Sequence, residues 1–393
     1  MSGEVPEGWS SRRLGDVVEI VNDGISADAI AELSVVAHYS LPAFDDGQTP
    51  EITAGLNIKS NKALVPSNCV LFSKLNPRIP RVWRVAERSK LPSVCSTEFW
   101  PLVARSDDTD LDFLAAVVGS EAFLGDPQIT PSSSTNSHQR VDRRSFENYV
   151  LSLPPLDEQR RIAEVLRSVD YALASYDAIS QTGANVGQRL SSLYFIDPTD
   201  YEGPHPLGNF GDLFDIKGGS QPPKSTFVYE PRPGFVRLLQ IRDFERDDKA
   251  AYIAETASSV RCCEGDILIA RYGASVGRIL TGKAGAYNVA LTKVLFRGDR
   301  IHRRYAYHWL KSNYFQNRIA AVSGRSAQAG FNKEDLFPTK IVLPPYEEQS
   351  MVADTLDDLE KQAGLLESAR NAALALKSSL LSDLLSGRVR VPA

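Results

Sequence analysis

A seven-residue phrase written twice constrains this chain more than any other feature. Leu153-Pro154-Pro155-Leu156-Asp157-Glu158-Gln159 returns as Leu343-Pro344-Pro345-Tyr346-Glu347-Glu348-Gln349, 190 residues later in a chain of 393. A repeat at about half the chain length indicates duplication of a whole structural unit. A second pair agrees: Leu14-Gly15-Asp16-Val17-Val18-Glu19-Ile20 matches Phe210-Gly211-Asp212-Leu213-Phe214-Asp215-Ile216. Between these markers, β-branched stretches such as Cys69–Phe72 and Asp266–Ile269 are punctuated by Gly, Pro, Asn and Ser, which predicts strands and turns. Helical patterns cover 111–123 and 304–321, the latter as one amphipathic helix with Tyr307, Leu310 and Tyr314 on one side. Each half is therefore expected to be α+β.

After each phrase the pattern changes. Proline can begin a helix but not continue one backwards, and the acids that follow suit a helix N-terminus. Apolar residues then fall at 4,3 spacing: Ile162, Leu166, Val169, Leu173 and Tyr176, resuming at Val186, Leu190 and Leu193. The second run carries Val352, Leu356, Leu359, Ala363, Leu366, Ala373, Leu376, Leu380 and Leu384. This is a heptad seam on helices of roughly 35–40 residues, about 55 Å long at about 1.5 Å per residue. Gly183 and Gly187 allow a kink or a close helix contact in the first. The chain order makes a pair of such helices antiparallel, with a head at each end and Arg388–Val391 returning to the N-terminal head. The expected domains are 1–155, 156–199, 200–345 and 346–393.

Charge is distributed unevenly. The net charge of −5 does not mark a nucleic-acid binder. Yet six bases (Lys74, Arg78, Arg81, Arg84, Arg88, Lys90) face one acid in 73–90, and eight (Arg271, Arg278, Lys283, Lys293, Arg297, Arg300, Arg303, Arg304) face one acid in 271–304. Acids gather instead on the second long helix, from Glu347 to Glu360. Basic runs at matching places in both halves suggest phosphate contacts. Cys69, Cys95, Cys262 and Cys263 form no CxxC pair and read as reduced thiols. The opening MSGEVPEGWSSRR lacks the apolar region of a signal peptide. No apolar run reaches the roughly 20 residues that span a membrane, so a cytoplasmic location is expected.

These residues resemble a known family, the specificity subunits of type I restriction–modification enzymes. The resemblance covers essentially the whole chain. It rests on Pro6-Glu7-Gly8-Trp9 before Leu14-Gly15-Asp16, on both phrases with their Ile162-Ala163 and Val352-Ala353 pairs, and on the ending Leu376-Lys377-Ser378-Ser379-Leu380-Leu381…Leu384-Leu385-Ser386-Gly387-Arg388-Val389. Tyr346 departs from the aliphatic residue usual after the second Pro-Pro. The resemblance implies a pseudo-two-fold repeat of two α/β target recognition domains, separated by two long antiparallel helices that form a coiled-coil spacer. It implies that each domain reads one half of a bipartite site in double-stranded DNA, that two methyltransferase subunits dock, and that restriction subunits can join. S-adenosylmethionine, and ATP with Mg, would then belong to the partners and not to this chain. Two other readings are weighed: a self-contained methyltransferase or nuclease fusion, and a structural coiled-coil adaptor.

Catalytic signals are sparse. Asn76-Pro77-Arg78-Ile79 lacks the second proline and the aromatic of an amino-methyltransferase motif and reads as a turn. Gly218-Gly219-Ser220 is too short for a phosphate loop. His38, His138, His205, His302 and His308 lack metal-ligand spacing. The DNA-reading candidates are stronger, because phosphates call for Lys and Arg, guanine for Arg, and adenine for Asn or Gln. In the first half these are Lys74, Asn76 and Arg78 after a strand, and Asn136, His138, Gln139 and Arg140 in a polar loop. In the second they are Arg271 and Tyr272 in the equivalent place, Lys293, and Arg325 and Gln328 in the matching loop. Gln240 and Arg242 are weaker candidates. Asp354, Asp357 and Asp358 would repel phosphate, so the outer faces of the long helices, with the acids of the phrases, are expected to contact the methyltransferase.

Overall fold

Each Leu-Pro-Pro phrase closes a β-strand and opens a helix. The computed structural model describes residues 5–87, 89–130, 139–324 and 330–391. They divide into two units, Met1–Tyr176 with Ser368–Ala393, and Asp177–Glu367. The frame of the first is β1 (Ser10–Arg13), β2 (Val18–Ile20), β3 (Cys69–Ser73), β4 (Val82–Val85), β5 (Phe99–Ala104), α1 (Leu111–Val118), β6 (Val150–Leu153) and the start of α2 (Leu156–Tyr194). The frame of the second is β7 (Leu207–Asn209), β8 (Phe214–Gly218), β9 (Leu268–Ala270), β10 (Ile279–Leu280), β11 (Leu291–Phe296), α3 (Arg303–Lys311), α4 (Asn313–Ser323), β12 (Lys340–Val342) and the start of α5 (Tyr346–Leu385).

The same plan is drawn twice. β1 pairs antiparallel with β6, and β7 with β12. Four-stranded antiparallel sheets follow in equivalent orders, β2-β5-β3-β4 and β8-β11-β9-β10. Of the two inner strands in each sheet, β3 and β9 are buried throughout. Phe72, Phe123 and Phe146 pack under the first sheet with ring centroids 5.0–6.1 Å apart. Phe210, Trp309 and Phe315 pack under the second at 4.7–6.3 Å. Beside this shared frame the units differ. The first carries a five-stranded sheet built on the parallel pair Val36–Tyr39 and Ser93–Cys95, and the second a three-stranded one built on Phe235–Leu239 and Ala286–Tyr287.

The glutamine of each phrase explains the repetition. Gln159 is fully buried. Its Nε2 donates to the carbonyls of Asp108 and Pro154, both at 2.9 Å, and its Oε1 accepts the N–H of Asp110 at 2.8 Å. Gln349 repeats the pattern with Arg300, Pro344 and His302. Asp110 and His302 are the N-caps of α1 and α3. One amide thus fastens the start of each long helix to the start of the head's own helix, using both its N–H donors and one lone pair of its oxygen.

The neighbouring acid corrects an expectation. Glu158 is 4% exposed and does not face outward. It accepts from Trp9 Nε1 at 3.1 Å and takes Arg390 on both oxygens. Arg390 also donates to the Glu7 carbonyl at 2.9 Å, so the chain's last residues do return to the first head. Glu348 is held similarly, accepting from the Tyr194 hydroxyl at 2.8 Å. Arg390 holds the Glu158 carboxyl below its ordinary value. A depressed carboxylate stabilises above its unfolded pKa and loses that contribution as pH falls through its folded one. The melting temperature of the first unit is therefore expected to fall more steeply below about pH 4.3 in the native protein than in Glu158→Gln, and parallel curves would contradict this.

Two helix expectations are also corrected. The pattern over 304–321 forms two helices, α3 and α4, because Ser312 is extended and its hydroxyl caps α4 by accepting from Phe315 N. Leu310 is buried as expected, along with Tyr305, Ala306, His308 and Trp309, whereas Tyr307 is only partly buried. The 111–123 pattern likewise breaks after Val118, where Ser120 caps the short helix Glu121–Leu124.

The long helices run antiparallel within each unit. In the first, Ile162 and Leu166 share a core with Leu384. In the second, Leu190 and Tyr194 pack with Val352, Leu356 and Leu359. The inward stripe differs from the one read from leucines: Val186, Leu193 and Leu376 are exposed. Gly187 approaches Leu359 instead, where an added Cβ would lie 3.6 Å from its Cδ1, and α2 continues unbroken. Lys377, next to Leu376, is partly buried and pairs with Asp170. Asp357 is not an outward acid either. It accepts from Arg304 Nε at 2.7 Å and faces His308 Nε2 at 2.7 Å. The first unit has the mirror arrangement in charge: Asp112 of α1 accepts from Arg167 of α2 at 2.8 Å.

Candidate nucleic-acid interface

Beyond β3, the chain stays hydrogen-bonded to two other segments. Lys74 N donates to the Glu98 carbonyl, and the Lys74 carbonyl accepts from Val141 N. Leu75 pairs with Arg140 as an isolated bridge, and Asn76 N donates to the Gln139 carbonyl at 2.8 Å. Asn76 sits at φ 50°, a left-handed position that asparagine tolerates, and Ile79 N closes the turn on its carbonyl. The Asn-Pro-Arg-Ile stretch is thus a turn. Lys74 Nζ lies 6.0 Å over the Trp100 ring, and Arg78 is exposed. Arg140 grips Glu98 with Nε and Nη2 at 3.0 and 2.8 Å, which holds the Glu98 carboxyl below its ordinary value.

The second unit brings the equivalent segments together. Tyr272, beyond β9, bridges to Gly330. A Cβ on Gly330 would meet the Tyr272 ring at 2.7 Å, so this close approach requires glycine. Arg271 donates from Nε to the Phe331 carbonyl at 3.0 Å and from Nη2 to Asn332 Oδ1 at 2.7 Å. Its guanidinium also lies 5.1 Å from the Tyr272 ring centroid. Asn332 is fixed in turn by a capping box with Asp335. In both units, therefore, the end of the inner strand and the C-terminal end of the polar loop form one surface. Asn136, His138, Arg325 and Gln328 lie outside the described residues.

The basic runs are a weaker guide than they seemed in sequence. Lys293 turns inward, with Nζ 3.0 Å from both Asp266 Oδ2 and the Arg261 carbonyl. Arg81, Arg84, Arg278, Lys283, Arg297 and Arg304 all pair with acids elsewhere in their own unit. Arg242 is exposed beside Asp243, whereas Gln240 is partly buried in a capping box. Sequence reasoning did not find Glu98 or Asn332, which come from distant segments and carry no local signal. The repeated glutamine did carry one, its repetition.

The first strand end gathers an ammonium, amides and a guanidinium held by a carboxylate, and the second a guanidinium, an amide and a phenol ring. They donate hydrogen bonds and stack, which suits phosphates and base edges. A frame drawn twice with such groups beyond an inner strand in each half suits a protein that recognises DNA with two domains. The type I restriction modification DNA specificity domain matches residues 6–181 and again 208–376, once per half. The chain belongs to that family. Among its relatives, a putative type I restriction enzyme MjaX specificity subunit of Methanocaldococcus jannaschii is 20% identical, over 99% of this chain and 95% of its own length. The EcoKI specificity subunit of Escherichia coli is 23% identical, over 99% and 90%. The fold is shared with the HsdS subunit from Thermoanaerobacter tengcongensis (21% identity, TM-score 0.50, 99% of each chain). It is also shared with the S subunit of a type I system from M. genitalium (13% identity, TM-score 0.60, 98% and 97%). The chain is thus a DNA-specificity subunit of the type I restriction–modification class, and recognition rather than catalysis is its role. Among the described residues no helix is long and apolar enough to cross a membrane.

Proposed function

We propose that each head of this cytoplasmic subunit reads one half of an interrupted, asymmetric site in double-stranded DNA. Two methyltransferase subunits dock on the chain and methylate adenines where the heads direct them, and restriction subunits, where present, cleave. S-adenosylmethionine, and ATP with Mg, are bound by those partners. The observation that carries this reading is the repeated bridge, Leu75 to Arg140 and Tyr272 to Gly330, presenting unlike side chains from like frames. Equivalent frames imply equivalent tasks, and unlike side chains imply unlike half-sites. The single-protein methyltransferase reading is disfavoured because its Asn-Pro motif is an incomplete one folded into a turn. A purely structural adaptor would not need two elaborated polar ends.

Arg271→Ala is the direct test, with Arg325→Ala beside it. DNA binding by the assembled methyltransferase is expected to weaken roughly tenfold or more at one half-site. Unchanged affinity and unchanged specificity in both variants would reject this placement.

A further inference from the structure

The two clamped arginines use the same edge of the guanidinium. Arg140 is bound through Nε and Nη2 to Glu98, and Arg271 through Nε and Nη2 to the Phe331 carbonyl and Asn332. In each case the Nη1 side is left over, with no hydrogen-bond partner among the described residues. That outer fork of Nη1 and the second Nη2 hydrogen matches the O6 and N7 acceptors of guanine. A long side chain normally loses rotamer freedom when it binds, and a side chain already locked by its neighbours loses less.

The clamps differ in charge. Arg271 is held by neutral oxygens and keeps its full positive charge. Arg140 is held by a carboxylate, so the pair is nearly neutral and gains little from counterion release at a phosphate. Arg140 is 53% exposed and Glu98 22% exposed. An acid placed beside Lys74 on a phosphate-binding surface weakens that surface, so it calls for another use. Orientation of Arg140 supplies one.

We propose that Glu98 is a specificity-determining positioning residue, which locks Arg140 with its outer fork turned to the major-groove edge of one guanine in the half-site of the first head. This rests on the reading of the strand end as the DNA-facing surface. Arg140 touches the base, and Glu98 acts through it.

The test uses the full chain assembled with its methyltransferase subunits. Methylated-site maps are compared for the native complex and for Glu98→Gln, Arg140→Ala, Arg140→Lys and Arg271→Ala. Glu98→Gln is expected to lower discrimination at a single G·C pair by about ten- to a hundredfold, with the other half-site unchanged. Arg140→Ala and Arg140→Lys are expected to relax that same pair, since lysine keeps the charge but not the fork. Glu98→Gln is also expected to steepen the salt dependence of binding by about one unit of log slope, a change that a merely structural acid would not produce. Unaltered base preference in Glu98→Gln while Arg140→Ala relaxes one pair overturns the positioning role. If Glu98→Gln fails to fold, full discrimination in Arg140→Lys overturns it instead. If Arg271→Ala leaves binding and specificity unchanged as well, the DNA-facing assignment itself has failed. If Arg271→Ala weakens binding while the Glu98 and Arg140 variants are silent, only the present inference falls.

Discussion

Gln159→Ala is expected to lower the unfolding free energy of the first unit by about 3 kcal/mol. The substitution removes three hydrogen bonds from a fully buried site. It leaves the Asp110 N–H without its acceptor at the start of α1, and the Asp108 and Pro154 carbonyls without their donor. Leaving buried partners unsatisfied costs more than the net worth of the bonds themselves. Gln159→Glu sharpens the test. A carboxylate could still accept from Asp110, but it would face two carbonyl oxygens with no hydrogen to offer, so it should cost at least as much. Gln349→Ala should act equally on the second unit. Urea denaturation followed by tryptophan fluorescence can separate the units, since Trp9, Trp83 and Trp100 lie in the first and Trp309 in the second. A loss below about 1 kcal/mol in Gln159→Ala would refute the fastening role.

Exchanging residues 200–345 for the matching segment of a relative should change one half-site completely and leave the other intact. The four-stranded frame is common to both units, while the second sheets and the side chains at the strand ends are not. Recognition chemistry that resides in one head should travel with it. Each exchanged base contact is worth about 1–3 kcal/mol, so several together would abolish methylation at the original half-site. The exchange ends inside the second phrase, after its two prolines, where the long helix begins at Tyr346, and so preserves Gln349 and its helix. A map in which both halves changed would refute the modular account.

The duplication, the strands and the two long helices were legible because each is periodic or repeated. Pro155 and Pro345 announced the helix starts. What stayed hidden depended on single polar residues whose role is set by tertiary context. Ser312 is tolerable within a helix pattern, yet its side chain can also cap, and the cap ended α3. Lys377, partly buried where Leu376 is exposed, pairs with Asp170 on the other long helix. Of the kink and the close helix contact that Gly183 and Gly187 allowed, the structure takes the close contact, against Leu359. The basic runs misled most. Residues such as Arg84 and Arg304 are basic because Asp112 and Asp357 await them. At the candidate interface the sequence pointed to Arg140 and Arg271, but not to the residues that orient them. Glu98 and Asn332 lie 42 and 61 residues from their arginines.

The central claim is that two unlike heads read two unlike half-sites for a partner enzyme. Co-expression of the chain with its methyltransferase, followed by mapping of methylated adenines, tests it most directly. The expected map is one interrupted motif with two different specific halves, a fixed non-specific gap, and methylation lost when the chain is omitted. A continuous motif, or methylation that persists without this chain, would contradict it.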